Sequence, residues 1–549
     1  MNEAAPLLRR LNGRPQACDP CRARKVACDH GQPTCSRCRK RREACVYTIS
    51  EPRTKRQRLR SPIDTETRTT SNSTPSPSVA PGYLGFTSHN AVFEETRNSL
   101  SLAHGSAAVE AEPNPRRAPR TRACLIEMPP HLREMCFHVL RNLPGAQDDV
   151  LGHRVQCRID EWILGSIQDI LATLQQDWGE CLASRDTAQL EELGLAICNN
   201  TSRPLGDVHS SGKAWLDQLS GPNLRWESIG LIWTYWGGSP SYDISNVATC
   251  LGYCIELARH FSSGNDVLLH LCYRRSISDS LSTGDASSTF WRSLAEAVAL
   301  LTFLGLHVGS DDTNYVPSLC SEHKRRTAAR VFVNDKIAVS FTGRPPLLSR
   351  RYFSCPLPLA IGDQDLLGDE ATARRAIQAL DENGYDPDGD VLGAALVRSR
   401  TQIALIKDEL LEMALSNSVK ATFESLSEIK DRARRTYKSF PPNLIHRAEE
   451  FDGPDWDMER VYARMVIRLE HLQNLFFAER LLLRLGHVDE NSLLPISFEM
   501  VTLTLLFWTH QDRFAGVRKD FEWLLMAFAA PGGGILCLEL LRPTFSAGL

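Results

Sequence analysis

The chain has 549 residues, 63 Lys or Arg against 66 Asp or Glu, a formal charge of −3 and 42% hydrophobic residues. That length exceeds the needs of any one small module, so at least one large domain with its own core is required. The opening residues hold no apolar run after Arg9 and Arg10, so no secretory leader is expected, and no stretch of about 18 apolar residues stands out as a membrane span.

Residues 1–13 are short and lack a pattern. The next segment, Cys18 to Cys45, reads CDPCRARKVACDHGQPTCSRCRKRREAC. Its cysteines, Cys18, Cys21, Cys28, Cys35, Cys38 and Cys45, form an internal repeat: the first three map onto the last three by a shift of 17 residues. The basic residues keep the same register, Arg22 onto Arg39, Arg24 onto Arg41 and Lys25 onto Arg42. Two similar half-units therefore face each other around something that thiolates bind. Zinc takes four thiolates in a tetrahedron, so six sulfurs satisfy two ions only if two sulfurs are shared. A redox pair would need one CxxC on a larger scaffold, and a disulfide knot would need an oxidising compartment. The spacing predicts a binuclear zinc site with two Zn2+ per chain.

These residues resemble the fungal binuclear zinc cluster (Zn2Cys6) transcription factors, in full cysteine register. The resemblance implies that Cys18 and Cys35 are the bridging thiolates and that each half is a short helix followed by an extended strand. The residues favour both helices: Asp19 and Pro20 suit the start of the first, and Ser36 suits the cap of the second. Pro33 stands where the family usually has a proline, often cis. Ala27 departs from the lysine many members carry before the third cysteine.

Residues 14–60 carry fourteen Lys or Arg against four Asp or Glu, a side-chain excess of +10. Two zinc ions and six thiolates reduce this to about +8. The remainder of the chain is acidic. A dense basic charge on a small module is a phosphate-binding footprint, and the family resemblance implies that the partner is double-stranded DNA. In the resembling family the lysine four residues after the second cysteine reads guanines of a CGG triplet; here that residue is Lys25, with Arg24 beside it. Arg22, Arg39, Lys40, Arg41 and Arg42 are read as phosphate contacts that set orientation. Lys55, Arg56, Arg58 and Arg60 (KRQRLR) read as a nuclear import signal, and the expected location is the nucleus.

Residues 51–120 turn first basic and then rich in Ser, Thr and Pro, as in TETRTTSNSTPSPSVAP (65–81), and are expected to be a disordered linker. Thr48 to Thr70 shows no a/d apolar repeat, so the coiled coil by which many relatives dimerise is not legible here. A homodimer stays open. An apolar island from Tyr83 to Phe93 interrupts the linker; docking on the body, docking on a partner and a stray apolar patch all fit it.

From about 121 the pattern is helical. Val247, Cys250, Leu251, Cys254, Ile255, Ala258 and Phe261 keep 3–4 spacing, as do Phe290 to Leu304 and Val461 to Phe476, the last ending at Gly486. Cys250 and Cys254 share a face but have no further Cys near them and only His260 in reach, so they read as core rather than ligands. Three stretches, SLAEAVALLTFLGLHVG (293–309), KRRTAARVFVNDKIAVSFTGRPPLLS (324–349) and CPLPLA (355–360), resemble the fungal-specific transcription factor domain. Gly305-Leu306-His307, Asp335-Lys336 and Gly343-Arg344-Pro345-Pro346 carry the match; Ala328-Ala329-Arg330 and Lys336 depart from it. The expected organisation is a Zn2Cys6 module at 14–50, a linker at 51–120 and an all-helical regulatory domain at 121–549. Asp335 lies on an apolar face with Val331, Ala338 and Phe341, so its carboxylate needs a partner, with Arg344 first and Arg330 or Lys336 as exposed alternatives.

Asp386 to Asp390 lacks the Gly and Glu of a calcium loop, and Gly532 to Gly534 lacks the Lys-Ser/Thr of a phosphate loop and reads as a helix start. No catalytic constellation appears, so the chain is not expected to be an enzyme. The reading is a sequence-specific transcription factor of the RNA polymerase II type acting at CGG-containing sites, leaning towards a metabolic or secondary-metabolite gene cluster. The competing reading is an enzymatic or small-molecule-binding helical domain with an appended zinc module. A small-molecule inducer stays open.

Overall fold

The computed structural model describes residues 17–24, 26–31, 34–45, 82–83, 88, 128–144, 161–207, 211–235, 244–309, 315–387, 389, 392–447, 457–487 and 492–541. The KRQRLR segment, Lys25 and Pro33 lie outside them, as does most of the expected linker. The chain divides into two compact units, residues 1–77 and 78–549.

The first unit contains two short helices, α1 (Asp19–Ala23) and α2 (Ser36–Arg41), packed around four buried cysteines. The repeat is visible in the backbone: Val26 N–H bonds Cys21 O at 3.1 Å, and Glu43 N–H bonds Cys38 O at 3.1 Å, the same contact 17 residues on. No strand follows either helix among the described residues, so the extended segments implied by the family resemblance do not pair here.

The second unit is helical, with no strand among the described residues. Its longer helices are α3 (Pro130–Arg141), α4 (Glu161–Ser184), α5 (Thr187–Thr201), α6 (Gly212–Leu216), α7 (Trp226–Tyr235), α8 (Ile244–Phe261), α9 (Asp266–Thr283), α10 (Ser288–Phe303) and α11 (Leu319–Thr342). They are followed by α12 (Asp363–Leu367), α13 (Glu370–Gln378), α14 (Ala394–Leu415), α15 (Phe423–Lys438), α16 (Met458–Arg484), α17 (Leu493–Thr509), α18 (Phe521–Leu524) and α19 (Ala530–Leu540). Start signals are chemical. Ser287 caps α10 through Phe290 N–H, Asn265 caps α9 through Leu268 N–H, and Ser318 with Ser321 forms a capping box on α11. Gly486, at φ 87°, follows the end of α16 in the left-handed conformation that closes a helix.

Four apolar clusters hold this unit; α14 enters the three larger ones, and the smallest joins Phe290 and Leu294 of α10 to Ala338 of α11. Ala404 joins the core built on Trp162, Trp215, Trp226 and Trp233; Ile403 joins one around Tyr385 and Ile467; Ile406 and Leu410 join one around Met465, Met500 and Phe507. Every residue of α7 is buried. Its one charge, Glu227, meets Arg225 at 3.3 Å and Asn265 at 2.6 Å, so no ion is buried alone. Cys250 and Cys254 lie in the first core, fully buried, and burial pushes the Cys250 thiol up to about 12.

Three expectations need correction. Phe521–Leu540 is long and apolar enough to cross a membrane by length and composition, with mean hydropathy 1.6, contrary to the reading that no such stretch occurs. Phe521, Leu524, Ala527 and Phe528 nevertheless pack into the same core as Met500 and Phe507. Gly532 to Gly534 sit within this helical run rather than opening it. A Cβ on Gly532 would lie 2.9 Å from Ser497 O of α17, so the glycine permits close helix approach.

The third concerns Asp335. Its partner is Lys336, which is fully buried rather than exposed (both 0%). Lys336 Nζ contacts Asp335 Oδ2 at 2.8 Å and Asp408 Oδ1 at 2.5 Å, donates to Leu348 O, and lies 4.5 Å from the Phe332 ring centroid. Asp335 also accepts Leu347 and Leu348 N–H at 3.1 and 3.3 Å, and Asp408 accepts Arg350 N–H at 2.9 Å. Arg344 instead donates to Ala286 O and covers Trp291. The reason is the approach of α14: the second carboxylate, Asp408, gives the buried ammonium two counter-charges.

Within the apolar island, Tyr83 docks on the end of α10. Its N–H bonds Phe303 O at 2.7 Å, and its ring meets His307 edge-on at 5.1 Å. Gly305, at φ 74°, leaves the space: a Cβ there would lie 2.8 Å from the Tyr83 ring.

Candidate metal centre and nucleic-acid interface

The six cysteines resolve into two groups of four sulfurs. Cys18, Cys21, Cys28 and Cys35 form one; Cys18, Cys35, Cys38 and Cys45 form the other; within each, all sulfurs lie within 4.8 Å. Cys18 and Cys35 belong to both. The Sγ···Sγ separations are 3.8 Å for Cys18–Cys35, 3.7 Å for Cys18–Cys38, 3.8 Å for Cys21–Cys35 and 3.8 Å for Cys28–Cys18. A disulfide would need about 2 Å. A tetrahedron with Zn–S bonds of about 2.3 Å has edges of about 3.8 Å. The sulfur set therefore fits two tetrahedra sharing the Cys18–Cys35 edge.

The electrostatics call for cations. Burial pushes the thiols of Cys18, Cys21 and Cys38 up, Cys38 to about 12. Cys35 is drawn down to about 6, chiefly by the Cys38 N–H that donates to its sulfur at 3.4 Å. Cys35 N–H in turn donates to Cys45 Sγ at 3.4 Å. Six sulfurs this close cannot all ionise on their own, and divalent ions supply the missing positive charge.

The second helix is not capped by Ser36. Cys35 is its N-cap, and the Asp29 carboxylate receives Ser36 N–H at 3.1 and 3.2 Å; the Ser36 side chain first, and this N–H with it, hold Asp29 below the usual carboxylate range. Arg42, at φ 55°, closes α2 with its N–H on Arg39 O. Arg37, Arg39, Lys40, Arg41 and Arg42 are all exposed along this half, and Arg39 donates to Thr34 O at 3.2 Å. Arg22 lies in α1. Arg24, read as lying beside Lys25, is exposed and forms a two-pronged pair with Glu43, both N···O distances 2.5 Å, which ties the first half-unit to the second and lowers the Glu43 carboxyl. Glu43 and Asp29 were the residues not singled out from sequence. The available signal was their rarity, two of only four acids in a basic segment.

Residues 16–54 match the model of the fungal Zn(2)-Cys(6) binuclear cluster domain, and residues 277–444 match that of the fungal specific transcription factor domain. The chain carries the two domains of the fungal binuclear zinc cluster transcription factors. Its Zn2Cys6 cluster binds two zinc ions, with the sulfurs grouped to receive them. The fungal transcription factor domain runs from within α9 to the 3-10 turn Pro442–Leu444 and so contains the Asp335–Lys336–Asp408 cluster.

Three curated relatives are similar over short segments. The chain is 50% identical over 50 residues to the sorbicillinoid biosynthetic cluster transcription factor of Hypocrea jecorina, 8% of each protein. It is 41% identical over 56 residues to the aurofusarin biosynthesis regulatory protein of Gibberella zeae, 10% of this chain and 14% of that protein. It is 50% identical over 44 residues to the depudecin biosynthesis cluster-specific transcription activator of Fusarium langsethiae, 8% of this chain and 7% of that protein. The chain thus covers no more than about a seventh of these relatives. No solved structure matches.

Proposed function

We propose that the protein is a nuclear, sequence-specific regulator of RNA polymerase II transcription that binds CGG-containing DNA and controls a secondary-metabolite gene cluster. The observation that carries this reading is the pair of four-sulfur groups sharing Cys18 and Cys35, with exposed basic side chains along α2. Two zinc ions held by Cys18, Cys21, Cys28, Cys35, Cys38 and Cys45 would fix α1 and α2 without an apolar core. Lys25, one turn past Cys21, would then donate to guanine O6 and N7. Arg39, Lys40, Arg41 and Arg42 would hold phosphates, and Arg22 would add to them. Arg24 is assigned a bracing role through Glu43 instead. The relatives' roles in biosynthetic clusters support the pathway class. Lys55, Arg56, Arg58 and Arg60 supply the import signal, and residues 51–120 the linker.

Selection from random duplexes with the full-length, zinc-loaded chain tests the reading. Enrichment of CGG triplets is expected, and their spacing reports whether one chain or a homodimer is bound. Recovery of sequences without CGG would overturn the assignment.

A further inference from the structure

A groove of about 420 Å3 opens where α11, α14 and α16 meet. That volume lies within the range of small-molecule sites. Its walls are Val339 of α11, Leu410, Leu411 and Ala414 of α14, and Phe477 and Leu481 of α16. Ser340 also lines it, but its hydroxyl is already spent on Lys336 O at 2.7 Å. Arg480 and Arg484 stand one helical turn apart on α16, exposed, and Arg480 also lies over the Phe476 ring.

These two arginines have no carboxylate partner among the described residues. Neighbouring acids are engaged elsewhere: Glu409 with Arg350 and Arg432, Glu412 with Arg351, and Glu479 with Lys430. An apolar cleft bordered by two uncompensated guanidinium groups selects a ligand of matching asymmetry. The apolar body gains from leaving water, and a planar anionic head can take parallel N–H donors from arginine. A nucleotide or sugar would leave its polar groups unmatched against these walls.

We propose that this groove binds a small amphipathic anion, an aliphatic or aromatic body bearing a carboxylate. The site lies one turn beyond the Asp335–Lys336–Asp408 cluster on both α11 and α14. Occupancy would therefore brace the two helices that this cluster joins. The assignment is independent of the DNA-binding reading, because its test reads ligand binding by the helical unit.

Calorimetric titration of the full-length, zinc-loaded chain with decanoate, and in parallel with 1-decanol, decides it. One decanoate per chain is expected. The double variant Arg480→Gln/Arg484→Gln should weaken decanoate about tenfold or more while leaving decanol unchanged. Ala414→Trp, which fills the groove, should remove both. Because the arginines are on the surface, their double variant should fold even if the tryptophan variant does not. Failure of decanoate to bind the wild type, equal binding to the double variant, or equal loss of both ligands in it would overturn the proposal.

Discussion

Lys336→Met isolates the buried ion cluster that joins α11 to α14. The lysine is fully buried and answers two buried carboxylates, Asp335 and Asp408, together with Leu348 O. Removing one member of such a cluster leaves charge uncompensated and costs about 3–5 kcal/mol. In a domain of this size each kcal/mol moves the thermal midpoint by ~2 °C, so the expected drop is roughly 6–10 °C by scanning calorimetry. The deficit should depend on pH. Burial already raises the native Asp335 carboxyl above 3.8 despite Lys336 and two backbone N–H donors. A carboxyl raised in the native state binds its proton more tightly there than in the unfolded chain, so stability falls as pH rises from 3.8 to the native value. Without the lysine that window extends upward. Lys336→Met should therefore lose most at pH 7 and recover part of its stability near pH 5. An unchanged midpoint, or the same deficit at both pH values, would refute the reasoning.

Replacing Cys18 or Cys35 by Ser should disturb both zinc ions, because each sulfur belongs to both groups, whereas Cys28→Ser or Cys45→Ser should disturb one; native mass spectrometry of each variant counts the metal. Lys25→Ala should cost about 1–3 kcal/mol on a CGG duplex and much less on random DNA, and equal losses on both would remove its reading role. Arg41→Ala or Arg42→Ala should weaken both duplexes alike and lower the slope of log K against log salt by about one per phosphate contact, measured by anisotropy at several salt concentrations. Gly305→Val should release Tyr83, since its Cβ would fall on the ring in a left-handed conformation; limited proteolysis should then cut near residue 83 sooner than in the wild type.

The metal site was legible because a fixed ligand count and a 17-residue repeat leave few arrangements, and the sulfur groups carry that logic into space. The helices of residues 244–261 and 288–303 were legible from one-sided apolar spacing. α7 was not, because a helix buried on every side has no periodicity to read. The pairing of Arg24 with Glu43 was not legible, because the two residues are 19 apart in sequence and only the facing of the two half-units brings them together. Lys336 was ranked below Arg344 as the partner of Asp335 and expected to be exposed, because Asp408, which helps hold it, is 73 residues from Asp335 in sequence. Only the packing of α11 on α14 turns it inward.

The most direct test is an anisotropy titration of the zinc-loaded, full-length chain against a CGG-containing duplex and the same duplex with its triplets scrambled. Binding to the CGG duplex should be tighter by about a thousandfold or more at physiological salt, and should disappear when zinc is chelated. Equal affinity for both duplexes, or undiminished binding without zinc, would contradict the account.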